Sequence, residues 1–155
     1  MKHLLFFLPF SSLVLLGAGC TQSKPSFDDS FPHPPEITIT ESGVVRHGLE
    51  GSFCFEGTCV DMISPVEIIK EKNRSFETIG NGSIAVNFGI VPTEVFIDIF
   101  SDAMVPVCTM TSTKVTEKEY TTSLCTSNPG TYILSVSASF IGGDESYHFP
   151  IQIKE

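Results

Sequence analysis

An antiparallel β-sandwich is the fold class this sequence predicts, and three observations predict it. From Glu36 onward, apolar residues recur at every second position, the period of a half-buried strand. Clusters of Gly, Pro, Asn and Asp interrupt that alternation at short intervals, where chain reversals belong. Only the stretch from Pro65 to Arg74 departs from the period.

Each element can be read in turn. Ile37 and Ile39 alternate with Thr38 and Thr40, a short strand at the head of the domain. Between Pro65 and Arg74 the apolar positions Val66, Ile68 and Ile69 fit neither period cleanly; Pro65 suits a strand start or a helix start, and a strand is the expectation. After the Gly80-Asn81-Gly82 turn, Ile84, Val86, Phe88 and Ile90 form one face of a strand. Beyond Pro92, Val95, Ile97 and Ile99 alternate with Phe96, Asp98 and Phe100. The longest alternation follows Asn128-Pro129-Gly130, with Tyr132, Leu134, Val136, Ala138 and Phe140 against Ser135, Ser137 and Ser139. Gly142-Gly143-Asp144 turns the chain into a last strand carrying Tyr147, Phe149, Ile151 and Ile153. Pro150 lies inside it, so this strand is expected at a sheet edge or at a bulge. The count expected is about seven to nine strands.

The N-terminus reads differently. Met1-Lys2-His3, an apolar run from Leu4 to Leu16 and the small residues Gly17-Ala18-Gly19 have the layout of a secretory signal. With Cys20 directly after them, the segment resembles a bacterial lipoprotein signal, although Gly17 stands where such signals usually carry Leu. The resemblance implies cleavage before Cys20 and a diacylglycerol on its thiol, hence a membrane partner through acyl chains on the extracytoplasmic face. Residues 1–19 are then signal peptide. Residues 20–35, with Pro25, Pro32, Pro34 and Pro35, form a lipidated tether, and residues 36–155 the folded domain.

Charge and cysteines bound the partners. All 18 carboxylates fall after residue 19 against eight Lys and Arg, a net −10 that argues against nucleic acid. With Cys20 acylated, four cysteines remain, an even number that suggests two disulfides in an exported domain. Three connectivities exist; proximity favours Cys54–Cys59 and Cys108–Cys125. The spacings lack the doubled Cys-x₂₋₄-Cys of a zinc site, so no metal is expected.

Two further resemblances concern the domain. Asn128-Pro129-Gly130-Thr131-Tyr132 before a long strand is similar to the penultimate strand of immunoglobulin-like domains. There a tyrosine hydroxyl ties the corner back to backbone, which implies an immunoglobulin-like sandwich. Gly51-Ser-Phe-Cys54-Phe-Glu-Gly-Thr-Cys59-Val-Asp61, with Pro65 and a terminal Tyr-x-Phe strand, is similar to small lipoproteins of Gram-positive bacteria, with Phe53 and Phe55 in place of Tyr and Trp. That family's activity is not established, so the resemblance implies a fold and an address.

No catalytic constellation is legible. His33 lies in the tether, His47 near a turn, and His148 points away from the core as a solvated or hydrogen-bonded imidazole; no nucleophile elbow, zincin motif or phosphate loop occurs. Met62, Met104 and Met110 are too dispersed to suggest a copper site. Neither enzyme activity nor a cofactor is expected. The functional expectation is a non-enzymatic binding module for a protein or other cell-envelope partner, using the sheet face opposite the core: Phe96, Asp98, Phe100, Ile133, His148 and Gln152. The alternative is an extracytoplasmic thiol-redox or metal-handling protein using Cys54 and Cys59.

Overall fold

The computed structural model describes residues 33–80, 82–112 and 115–154; the expected signal peptide, Cys20 and the expected tether up to residue 32 lie outside them. Eleven strands and one helix follow in chain order: β1 (Ile37–Glu41), β2 (Val44–His47), β3 (Leu49–Phe55), β4 (Thr58–Val60), α1 (Pro65–Glu71), β5 (Glu77–Ile79), β6 (Ser83–Phe88), β7 (Glu94–Ser101), β8 (Pro106–Ser112), β9 (Glu119–Ser123), β10 (Gly130–Phe140) and β11 (Gly143–Ile153).

They form an all-β sandwich of two sheets packed face to face. The first sheet runs β2-β1-β6-β9 and the second β4-β3-β11-β10-β7-β8, with β5 added in parallel to β11. Consecutive strands cross between sheets at β2 to β3, β5 to β6, β6 to β7, β8 to β9 and β9 to β10, so β1-β6-β9 face β11-β10-β7, the connectivity of an immunoglobulin-like sandwich. The corner predicted at Tyr132 is present: its hydroxyl donates to the Asn128 carbonyl at 3.0 Å.

The core follows the period-two pattern. Ile37, Ile39, Ile84 and Val86 from one sheet meet Val95, Ile97, Ile99, Leu134, Val136 and Ile151 from the other, all with no exposed surface. Each such side chain gains about 1.5–3 kcal/mol on leaving water, which makes this layer the main source of stability. The two disulfides close as proximity favoured, Cys54–Cys59 across a hairpin and Cys108–Cys125 between β8 and the segment after β9.

Three expectations are corrected. There are eleven strands rather than seven to nine, because the alternation is too short to register in β2, β4 and β5, the last two being three residues each. Residues 65–71 are helical, not extended. Ser64 caps them: its hydroxyl accepts from Glu67 N, the Glu67 carboxylate accepts from Ser64 N, and Pro65 occupies the first turn. Finally, β11 is an interior strand, and the register shift between Glu145 and Tyr147 has its extra residue on the neighbouring β3 and lies away from Pro150. Proline is tolerated because β11 changes partner there. Its register with β3 ends at His148 and its register with β5 begins at Ile151, so no ladder on that side runs through residue 150.

Candidate interaction surface

The outward positions of β7, β10 and β11 line up in rungs fixed by register. From the β10–β11 turn downward they read Glu94–Ser139–Asp144, Phe96–Ser137–Ser146, Asp98–Ser135–His148 and Phe100–Ile133–Pro150, with Thr131–Gln152 below. The face foreseen in the sequence is therefore one continuous surface of one sheet, and all six residues named for it lie on it.

Only part of that surface is open. Ile133 is 1% exposed and His148 7%, so both are buried rather than solvated as expected. Ile133 is covered by the segment around α1: Val66, Ile69 and Phe76 share with it a cleft of about 250 Å³ whose rim carries Lys70 and Asp102. Ile68, 2% exposed, lines a second cleft with Leu49, the β3 neighbour of His148. An outward strand position is exposed only if no other segment folds over it, and here a helix does. The Ser64-x-x-Glu67 capping signature was the sequence signal for that helix.

The β7 ends of the rungs, and Gln152 on the lowest one, stay accessible. Phe96, Asp98 and Phe100 are half-buried, as is Gln152. Phe96 lines an open cleft of about 390 Å³ together with Ser52, Ser137, Ser139, Asp144 and Ser146. Within it, Ser146 donates to the Ser52 carbonyl at 3.0 Å. Asp98 is engaged laterally, accepting from the Thr109 hydroxyl at 2.6 Å.

Two buried titratable groups flank this sheet. Burial holds His148 down to about 4, so its imidazole is neutral at physiological pH, and Nδ1 has no hydrogen-bond partner. The ring lies against Gly51, where a Cβ would collide with His148 Nε2 and Ser146 Oγ. On the inward face Glu145 is 2% exposed, with both carboxylate oxygens unpartnered. Burial first, and the nearby Glu50 second, push it up to about 8. Glu50 itself is raised by burial, and Tyr147 is raised by burial and by the surrounding carboxylates. The buried position of Glu145 was visible in the sequence, since it shares parity with Tyr147, Phe149 and Ile151.

The remaining candidates do not converge on this surface. His47 Nδ1 lies 2.6 Å from Glu36 Oε1 in an exposed pair, and His33 lines a separate cleft with Leu49, Glu50, Met62 and Lys72. Among the described residues no three His, Cys, Asp or Glu side chains are grouped to hold a metal. Met110 packs against the core and its sulfur accepts from the Thr122 hydroxyl. Compared with known protein families, curated proteins and solved structures, the chain matches none.

Proposed function

We propose that this chain is a lipid-anchored extracytoplasmic binding module, held to a membrane through Cys20 and engaging a protein or other cell-envelope partner with the open rungs of its second sheet. The observation that carries the reading is the half-exposed pair Phe96 and Phe100 beside Asp98 and the serine-lined cleft, on a sheet whose lower half is covered by α1. Half-exposed aromatics next to small hydroxyl side chains give a partner both apolar area and hydrogen-bond donors, and a rigid β-scaffold presents them without ordering cost. Ile133 and His148 support the floor of that surface and leave the contact to Phe96, Asp98, Phe100 and Gln152.

Two measurements test the reading. Placing a photo-crosslinking amino acid at position 137, beside Phe96 in the same cleft, in intact cells is expected to give a discrete adduct that is lost when the Phe96→Ser, Phe100→Ser pair is added, while the pair keeps the native unfolding transition. An adduct that survives in the double variant removes this face from consideration. Membrane fractionation of a Cys20→Ser variant is expected to move the chain out of the membrane fraction, and retention there would remove the anchor.

A further inference from the structure

The two disulfides occupy unlike positions. Cys54 and Cys59 face each other directly across β3 and β4, Cα–Cα 4.0 Å, and both are exposed on the outer side of the second sheet. Their rung continues the uppermost one of the open surface, since Cys54 pairs with Asp144 on β11. The pairs Phe53–Val60 and Phe55–Thr58 flank the bridge, and the reversal at Glu56 (φ 47°) and Gly57 (φ 84°) has the left-handed backbone of a tight hairpin turn. Phe53 and Phe55 anchor this hairpin in the core. The bridge therefore spans two residues that the ladder and the core already hold together. Cys108–Cys125 instead ties an edge strand of one sheet to the end of the other, spans 17 positions, and packs Cys108 against the core.

Folding and disulfide formation are linked through one thermodynamic cycle. A bridge that adds little to the stability of the native state gains little resistance to reduction from it, and an exposed bridge is open to attack. Cys54–Cys59 is the weaker on the first count, and it is exposed at both cysteines where Cys108–Cys125 is exposed at Cys125 and half-buried at Cys108.

We propose that Cys54–Cys59 is a reversible thiol-exchange site, opened by a small extracytoplasmic thiol while Cys108–Cys125 stays closed. A donor thiolate attacks one sulfur of the bridge and forms a mixed disulfide, and the other cysteine leaves as a thiolate. A second donor thiol then displaces the first cysteine, so that the donor is oxidised to its disulfide by two electrons. Cys54 and Cys59 take up the two protons as thiols. The hairpin ladder keeps the two thiols opposite each other, so the reverse exchange with an oxidised donor recloses the bond.

The experiment uses the exported chain equilibrated in graded mixtures of reduced and oxidised glutathione, trapped with an alkylating agent and mapped by peptide mass. Cys54 and Cys59 are expected to become alkylated at a thiol-to-disulfide ratio lower by about fivefold than Cys108 and Cys125 require. Raising oxidised glutathione should restore the closed form. The Cys54→Ser, Cys59→Ser pair should keep a cooperative unfolding transition, lowered less than that of the Cys108→Ser, Cys125→Ser pair. Opening of both bridges at one ratio, opening of Cys108–Cys125 first, or loss of the folded state in the serine pair would each overturn the proposal.

Discussion

Single residues set the chemical limits of this domain. Gly51 is needed where it stands, because any Cβ meets His148 Nε2 and Ser146 Oγ across the sheet. Gly51→Ala is expected to cost about 1–3 kcal/mol in chemical denaturation, as overpacking at a closed site does. Tyr132→Phe removes the hydroxyl that ties the corner to Asn128 and should cost about 1 kcal/mol. Glu145 and His148 give the domain opposed pH dependences. The Glu145 carboxyl titrates at about 8 when folded against 4.5 unfolded, so its contribution is complete below pH 4.5 and is lost as pH rises toward 8. The His148 imidazole titrates at about 4 when folded against 6.5 unfolded, so its contribution is complete above pH 6.5 and is lost as pH falls toward 4. Between pH 4.5 and 6.5 the two slopes, each up to about 1.4 kcal/mol per pH unit, cancel and leave a plateau. Above 6.5, of these two only Glu145 acts, and its share of the stability should fall by about 2 kcal/mol by pH 8. In Glu145→Gln that decline should vanish from urea titrations at pH 6.5 and 8, and a decline of unchanged size would assign it elsewhere.

At the scale of elements, α1 decides which part of the sheet is available. Its seven residues are too few to be helical alone, and they depend on the Ser64–Glu67 capping box and on Ile68 and Ile69 buried beneath them. Ser64→Ala is expected to cost about 1 kcal/mol and to loosen this cover. The local readout is backbone amide exchange across Pro65–Glu71, which should accelerate while that of β7 stays constant. Equal exchange in both proteins would mean that the helix does not depend on its cap. This element also marks where the sequence ceases to be legible. Strands with four or more alternating positions, such as β7 and β10, announce themselves because one face is wholly buried. Val66, Ile68 and Ile69 do not, since so short a helix shows neither period. Misreading that helix as a strand then misplaced Ile133, whose orientation was right and whose exposure was not. Pro150 was misjudged for a related reason: a change of neighbour along one strand edge is set by tertiary pairing, which local sequence does not encode.

At the scale of the molecule, the two sheets share a buried apolar layer, and among the described residues one disulfide, Cys108–Cys125, cross-links them. In the chain-entropy description a loop of that size contributes roughly 3 kcal/mol and the Cys54–Cys59 loop about 2 kcal/mol. The Cys108→Ser, Cys125→Ser pair should therefore lower the unfolding midpoint more than the Cys54→Ser, Cys59→Ser pair does, and the reverse order would contradict the assignment of the first bridge as the inter-sheet tie. The open surface, the covered surface and the exposed bridge all lie on one side of this layer, so substitutions there can change binding or redox behaviour while leaving the core intact.

The change of partner along β11 carries a consequence for how the chain matures. β3 and β5 each gain their place in the second sheet from β11, and the bond from Ser146 to Ser52 joins positions 94 residues apart. A polypeptide emerging N-terminus first must hold the whole span from Leu49 to Ile79 without its sheet neighbour until Gly143–Ile153 has arrived. During that interval the β3–β4 hairpin, with Cys54 and Cys59 opposite each other, is the only part of the span able to form locally. Shortening the chain within β11 would thus strand β3 and β5, and β4 through β3, and limited proteolysis of such a truncation should cut first between residues 49 and 79.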